Sequence, residues 1–252
     1  MSKRRVSETI FVAILVALLA ALCLAGLGKA RDKQRRVICL TNTQKMSAAM
    51  LGYVARWNAL VTLDQQGPNE TGDWMLSLGL GEKELQCPAA SGTPARPGTA
   101  TTAWRWTAGQ RTVTGAYAMN GWLYNPVRLE SEKPSILPGH DLDVENPTPD
   151  HFYKHAPDGT AATRVPVFAD AIWVEAFPES NDFVADLQLG TYMSDADQLG
   201  RVAISRHSLT VDVSFWDGHS ENIAIPDLWT LPWNAQWQTP EKLPVVSEEK
   251  SQ

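Results

Sequence analysis

The chain has 252 residues, of which 44% are hydrophobic, and a formal net charge of −6 at pH 7. This length is sufficient for one medium-sized domain with a hydrophobic core. Because the charge balance is acidic and no long basic run occurs after residue 36, the composition argues against nucleic acid as a partner.

The first predicted element is an apolar run at residues 9–27 that contains no charged residue. At 1.5 Å per residue the run forms about 28 Å of helix, close to the hydrocarbon thickness of a bilayer. It predicts a transmembrane helix over 9–28 after a short flank at 1–8. Basic residues lie on both sides of the run. The short flank with Lys3, Arg4 and Arg5 favours a cytoplasmic N-terminus and an extracytoplasmic head in a single-pass topology.

The helix is expected to continue beyond the apolar run. No proline occurs from Ser7 to about Leu60, which predicts a helical extension over 29–60 and a total length of about 80 Å. A loose apolar stripe at helical spacing predicts that the extension packs on a sheet. The stripe consists of Val37, Leu40, Gln44, Met46, Met50, Leu51, Val54 and Trp57.

The remaining chain predicts one β-rich head over 61–240 and a flexible tail over 241–252. Gly-, Pro- and Ser-rich stretches at 64–73 and 88–103 indicate loops, and five prolines indicate a long surface excursion at 130–162. Strand-like patterns occur at 104–123, 165–176, 202–204 and 209–215, and the last of these runs into an Asp-Gly turn at Asp217 and Gly218. The predicted fold class is α+β, with a long N-terminal transmembrane or amphipathic helix packed on a mainly antiparallel sheet.

Three cysteines are present. Cys23 lies in the apolar run and is expected to pack as a small hydrophobic residue. Cys39 and Cys87 remain in the head, where two cysteines are enough for one disulfide, and an extracytoplasmic location favours that bond. Two buried free thiols are the alternative.

Four residues are candidates for a chemical site. His207, Asp217 and His219 could converge with Asp170 at the end of another predicted strand. A structural hydrogen bond between His207 and Asp217 is favoured, and a cation site with Ca²⁺ on Asp170 and Asp217 is second. Because no nucleophile motif or phosphate-binding loop occurs, the chain is predicted not to be an enzyme.

Two segments carry a resemblance to a known family. Arg206 and His207 are followed by nine residues and then by Asp217-Gly218-His219. This spacing resembles the prepilin-type processing-associated H-X9-DG domain, whose motif positions are His207, Asp217 and Gly218. The segment from Glu8 through the apolar run to 28–42 is similar to the N-terminal segment of type IV pilin-like proteins, specifically the type II secretion pseudopilins. Lys3 and Arg4 stand where the family has the glycine and phenylalanine of the peptidase site.

The resemblance implies a non-catalytic pseudopilin subunit of a type II secretion or type IV pilus-like filament. Its partners would be other pseudopilin subunits and an inner-membrane assembly platform. Its location would be the bacterial inner membrane or a periplasmic or surface filament. Glu8 would pair with Arg4, Arg5 or Lys3 of a neighbouring subunit during assembly, because a buried carboxylate needs a partner. Alternatively, Glu8 extends to the cytoplasmic lipid headgroups. The alternative is a permanently anchored surface protein whose head binds a glycan or protein partner. Three aromatic residues, Trp229, Trp233 and Trp237, could bind a glycan or pack on the sheet.

Overall fold

The computed structural model describes residues 3–61, 74–108, 111–125, 149–191 and 197–246. Within the first helix, the side chains of residues 3–10, 20, 22–26 and 29 lie outside the description. The predicted loop at 64–73 and much of the predicted excursion at 130–162 also fall outside it. The α-helices are α1 Lys3–Trp57, α2 Trp74–Ser77, α3 Glu82–Leu85 and α4 Gly159–Ala162. Short 3₁₀ turns occur at Gly121–Leu123, Pro149–His151, Gln198–Arg201 and Ile225–Thr230.

The 55-residue helix α1 has a docked C-terminal half. Its buried positions recur at helical spacing and include Cys39, Thr43, Met46, Ser47 and Met50. Polar residues on this face bond to the head, since Ser47 Oγ donates to the carbonyl of Phe215 at 2.9 Å. The predicted stripe is therefore only partly right, and its residues Val37 and Trp57 are exposed.

The strands form two sheets. A five-stranded sheet has the order β6-β4-β5-β7-β8, and a three-stranded sheet has the order β1-β2-β3. Each sheet contains one parallel pair, β4 with β6 and β1 with β2, and the other pairs are antiparallel. The strands are β1 Gly92–Ala95, β2 Thr102–Ala108, β3 Arg111–Gly115, β4 Tyr117–Asn120, β5 Pro166–Asp170, β6 Glu175–Ala176, β7 Thr210–Phe215 and β8 Ser220–Ala224.

The predicted fold class needs two corrections. One mainly antiparallel sheet was expected, whereas the chain forms two mixed sheets. The predicted transmembrane helix is wrong as well, because no helix among the described residues is long and apolar enough to cross a bilayer. The α+β content stands.

Strand β7 has both faces buried, so its polar residues lie in the interior of the head. Val211, Val213 and Phe215 point to one side and pack in a cluster with Trp229 and Trp233. The alternate residues, Asp212 and Ser214, are also fully buried. Because side chains alternate along a strand, these polar residues lie on the opposite face of β7, the side from which α1 covers the sheet. The head is thus layered, with α1 on one face and the C-terminal segment on the other.

Candidate functional site

The first half of α1 presents a large apolar surface. Its large described side chains lie about 48–68% exposed, from Leu15 at 48% to Phe11 at 68%. At about 100° per residue these side chains span more than half of the helix circumference. The set is Phe11, Val12, Ile14, Leu15, Val16, Leu18 and Leu19. A helix that is apolar on most sides is normally buried against other helices or lipid.

The residues predicted to guide assembly lie at the start of this surface. Arg4, Arg5 and Glu8 belong to α1, but their side chains lie outside the described part of the structure. The ion pair between neighbouring subunits therefore stays a prediction.

Cys39 and Cys87 are joined by a disulfide with their Cα atoms 5.4 Å apart. Cys39 lies on the docked face of α1, and Cys87 follows α3. The bond therefore ties the long helix to the head across 48 residues of sequence.

A buried polar cluster lies beside this disulfide, and we define it by Asp170, His207 and Asp212. Asp170 is the last residue of β5, and Asp212 lies next to it on the neighbouring strand β7, because Ala169 pairs with Val213. The backbone N–H of Asp212 donates to Asp170 Oδ2 at 3.0 Å. The antiparallel pairing of β5 and β7 thus brings the two carboxyl groups together.

His207 contributes the imidazole from the segment that leads into β7. Its Nε2 atom lies 3.5 Å from Asp170 Oδ2, 3.4 Å from Asp212 Oδ2 and 3.4 Å from Cys87 Sγ. The backbone of His207 is held in place as well, because its carbonyl accepts hydrogen bonds from Arg36 Nη2 at 3.1 Å and Thr210 Oγ1 at 2.7 Å. One of these donors comes from α1, so the helix helps to position the imidazole.

Arg206 lies next to the cluster, but its donors are used elsewhere. Its guanidinium donates to the carbonyls of four residues, Thr99, Ala100, Ala116 and Ala171. Its nearest approach to a carboxylate of the cluster is 3.6 Å, from Nη1 to Asp170 Oδ1. The side chain therefore fastens several loops and supplies one positive charge beside two carboxyl groups.

Burial perturbs the titration of these groups. Desolvation, together with the charge of Asp170, raises the pKa of Asp212 to about 8. Burial lowers the pKa of His207, although Asp170 opposes that change. Burial also raises the pKa of Tyr117, to which Asp170 adds. Asp212 and His207 therefore both favour their uncharged forms at neutral pH, as expected for groups in a low-dielectric space.

Two carboxylate oxygens in the cluster lack a hydrogen bond from any described residue. They are Asp170 Oδ1 and Asp212 Oδ2, and both side chains are completely buried. Asp170, Asp212 and His207 each offer one ligand atom, a carboxylate oxygen or a ring nitrogen, and these three atoms all lie within 4.8 Å of one another. The arrangement is thus a candidate metal site. Cys39, Cys87 and His207 form a second such group, but the disulfide occupies its sulfur atoms.

The predicted partners of His207 and Asp170 need a correction. Asp217 was expected to bond His207 or to share a cation with Asp170, but it lies in the turn between β7 and β8 and contacts His219 Nδ1 instead. Burial would raise its pKa, yet hydrogen bonds from His219 lower the pKa of Asp217. Gly218 has φ of +90°, a conformation that the tight Asp-Gly turn requires and that glycine adopts without strain.

Sequence reasoning missed Asp212 as a site residue. In the sequence it alternates with Val211 and Val213, the pattern of a half-buried strand whose polar residues face solvent. In the structure the outer face of β7 is covered by α1, so Asp212 is buried next to Asp170. A carboxylate in the middle of a strand that lies beneath a docking helix is the signal that would have identified it.

The Trp set near the C-terminus packs inside the head. Trp229 and Trp233 are buried, and Trp237 is partly buried. Their indole N–H groups donate to the carbonyls of Asp182, Leu228 and Trp229 respectively. The packing interpretation therefore describes these residues, and they offer no open aromatic platform.

Comparison of the chain with protein-family models, with curated proteins and with solved structures finds no match.

Proposed function

We propose that the chain is a structural, non-catalytic subunit of a filament of the pilin-like kind, in which α1 of each copy packs against α1 of other copies. The observation that carries the proposal is the exposed apolar surface of α1 at 11–19. Burying each large side chain of that surface contributes about 1.5–3 kcal/mol, so association of several helices has a strong driving force.

The head supports the same role, because it is fastened to the helix. The docked half of α1 continues without a break into the exposed half, and the disulfide ties the docked half to the segment after α3. A displacement of the exposed half is therefore passed to the head. The resemblance of the motif at His207, Asp217 and Gly218 to the H-X9-DG domain agrees with such an assembly.

The burial of the polar cluster favours a structural over a catalytic role. Asp170 and Asp212 are fully buried, and His207 is 6% exposed. A general acid or base must come within hydrogen-bond reach of its substrate, and these groups lie beneath α1 and a disulfide. The disulfide also favours an oxidising compartment as the location of the head.

The test is the assembly of the purified full-length chain after removal of detergent, followed by sedimentation velocity and electron microscopy. We expect elongated particles of regular width. Leu15→Asp should raise the concentration needed for assembly about 10- to 100-fold, because one buried leucine per copy is lost. Val245→Asp is the matched control, since Val245 is 94% exposed in the C-terminal segment.

Two results would overturn the proposal. A wild-type chain that sediments as a monomer would favour a surface protein that binds its partner without polymerising. Assembly of Leu15→Asp at the wild-type concentration would show that the apolar surface is not the interface.

A further inference from the structure

We propose that Asp170, His207 and Asp212 bind one divalent transition-metal ion, with Zn²⁺ preferred, in the buried layer between α1 and the five-stranded sheet. The ion would join β5 and β7 to the segment that carries His207. This role is independent of filament assembly.

The distances from the imidazole to the two carboxyl groups match those between ligands of a tetrahedral ion. Nitrogen and oxygen ligands lie about 2.0–2.1 Å from zinc, which places two ligands of a tetrahedral site about 3.3 Å apart. His207 Nε2 lies 3.5 Å from Asp170 Oδ2 and 3.4 Å from Asp212 Oδ2. Ordinary hydrogen bonds between such atoms are shorter, at about 2.7–3.2 Å.

The unsatisfied oxygens give a second, independent indication. Asp170 Oδ1 and Asp212 Oδ2 are buried and accept no hydrogen bond from a described residue. Leaving a buried polar atom unsatisfied costs about 1–3 kcal/mol, and more for a charged group. A cation beside His207 would satisfy Asp212 Oδ2, which faces the imidazole, whereas Asp170 Oδ1 lies 3.6 Å from Nη1 of Arg206.

Further hydrogen bonds hold the two carboxyl groups, as is usual for metal ligands. Asp212 Oδ1 accepts from Asn222 Nδ2 at 2.7 Å, and Asp170 Oδ2 accepts from the backbone of Asp212. Outer contacts of this kind orient the ligands toward the ion. They leave the Oδ2 atom of Asp212 directed at the imidazole.

The local charge also favours a cation. Metal ligands must be deprotonated, so an ion would bind with both carboxyl groups ionised, opposite the single guanidinium of Arg206, which is bonded mainly to carbonyls. A divalent ion would neutralise both carboxylates in this desolvated space, where an uncompensated negative charge is costly. The imidazole selects among cations, since Ca²⁺ takes six to eight oxygen ligands whereas imidazole suits zinc and its neighbours. The calcium site expected on Asp170 and Asp217 stays a prediction, and the proposed site combines Asp170 with a nitrogen ligand instead.

The experiment is a metal analysis of the full-length chain, purified with its disulfide intact and washed with a chelator. The chain is also refolded under oxidising conditions with Zn²⁺, because a buried ion must enter before the head closes. We expect about one equivalent of zinc per chain in both preparations. Asp212→Asn, which keeps the acceptor for Asn222, should lower the bound zinc at least 10-fold, since even an outer contact is worth about 10–100-fold in affinity.

Asp217→Asn is the matched control, because Asp217 also pairs with a histidine but lies in the exposed turn, and it should retain the zinc. X-ray absorption at the zinc edge needs no variant and should show nitrogen and oxygen neighbours without sulfur. If the refolded wild-type chain contains no zinc, the proposal is overturned. A proton shared by the two carboxyl groups would then neutralise the cluster. Sulfur neighbours would overturn it too, because they would place the ion on Cys39 and Cys87.

Discussion

Removal of the Cys39–Cys87 disulfide should destabilise the head by about 4 kcal/mol. The bond closes a loop of 48 residues. In the chain-entropy description, cross-linking a loop of that length removes about 14 cal/mol/K from the unfolded ensemble, or about 4 kcal/mol at 25 °C. The change to test is the double substitution Cys39→Ser and Cys87→Ser.

The assay is urea unfolding of the full-length chain in mild detergent, followed by the fluorescence of the buried tryptophans. With an m-value of about 2–3 kcal/mol/M, the loss corresponds to a fall of about 1.3–2 M in the urea midpoint. Reduced wild-type chain is the control that leaves every side chain in place, and its midpoint should fall by the same amount. A change below about 1 kcal/mol in both samples would refute the loop-closure argument, since the cross-link would then constrain little in the unfolded chain.

Two further results follow from burial. The pKa of Asp212 is raised to about 8 in the folded chain from an ordinary value near 3.9, so its protonated form stabilises the fold. That stabilisation is complete below pH ~4 and is lost as the pH rises through about 8. The urea midpoint of the metal-free chain should therefore decrease over this range. In Asp212→Asn the midpoint should depend less on pH. Met50→Ala should cost about 2–5 kcal/mol in the same assay, because Met50 is fully buried between α1 and the head. Val37→Ala, an exposed position on the same helix, should stay within about 0.5 kcal/mol.

Each of these results has a clear contrary outcome. A urea midpoint that changes with pH equally in wild type and Asp212→Asn would place the titrating group elsewhere, for example at Asp182, whose pKa burial raises to about 6. Equal losses for Met50→Ala and Val37→Ala would mean that α1 does not dock on the head through the face described.

Local patterns in the sequence predicted local structure well. The Asp-Gly pair at Asp217 and Gly218 predicted the hairpin that β7 and β8 form, because the turn depends on adjacent residues only. The absence of proline predicted a continuous helix, and α1 runs without interruption to Trp57. There Asn58, with φ of +50°, ends it by donating its N–H to the carbonyl of Val54.

Features that depend on distant contacts were not predictable in the same way. The pairing of His207 with Asp170 and Asp212 follows from the register of β5 against β7, which joins residues more than forty positions apart. The spacing of the motif favoured Asp217 as the partner of His207. Spacing gives the separation of two residues along the chain, but it does not give the direction in which the turn faces. The parallel pairs likewise arise from connections that local alternation does not encode.

The place of the disulfide along α1 has a mechanical consequence. Among the residues of α1 whose side chains are described, Cys39 is the first buried one from the N-terminal end, and Thr43, Met46 and Met50 follow it. Tension along the helix axis therefore meets the hydrogen bond from Arg36 to His207 and then the covalent bond, before it reaches the rest of the docked face. The bond would carry the load at the point where peeling begins, so the layer of side chains beneath the helix would be shielded from stepwise detachment. In a chain with the disulfide reduced, the same force would separate the contacts beneath the helix one helical turn at a time.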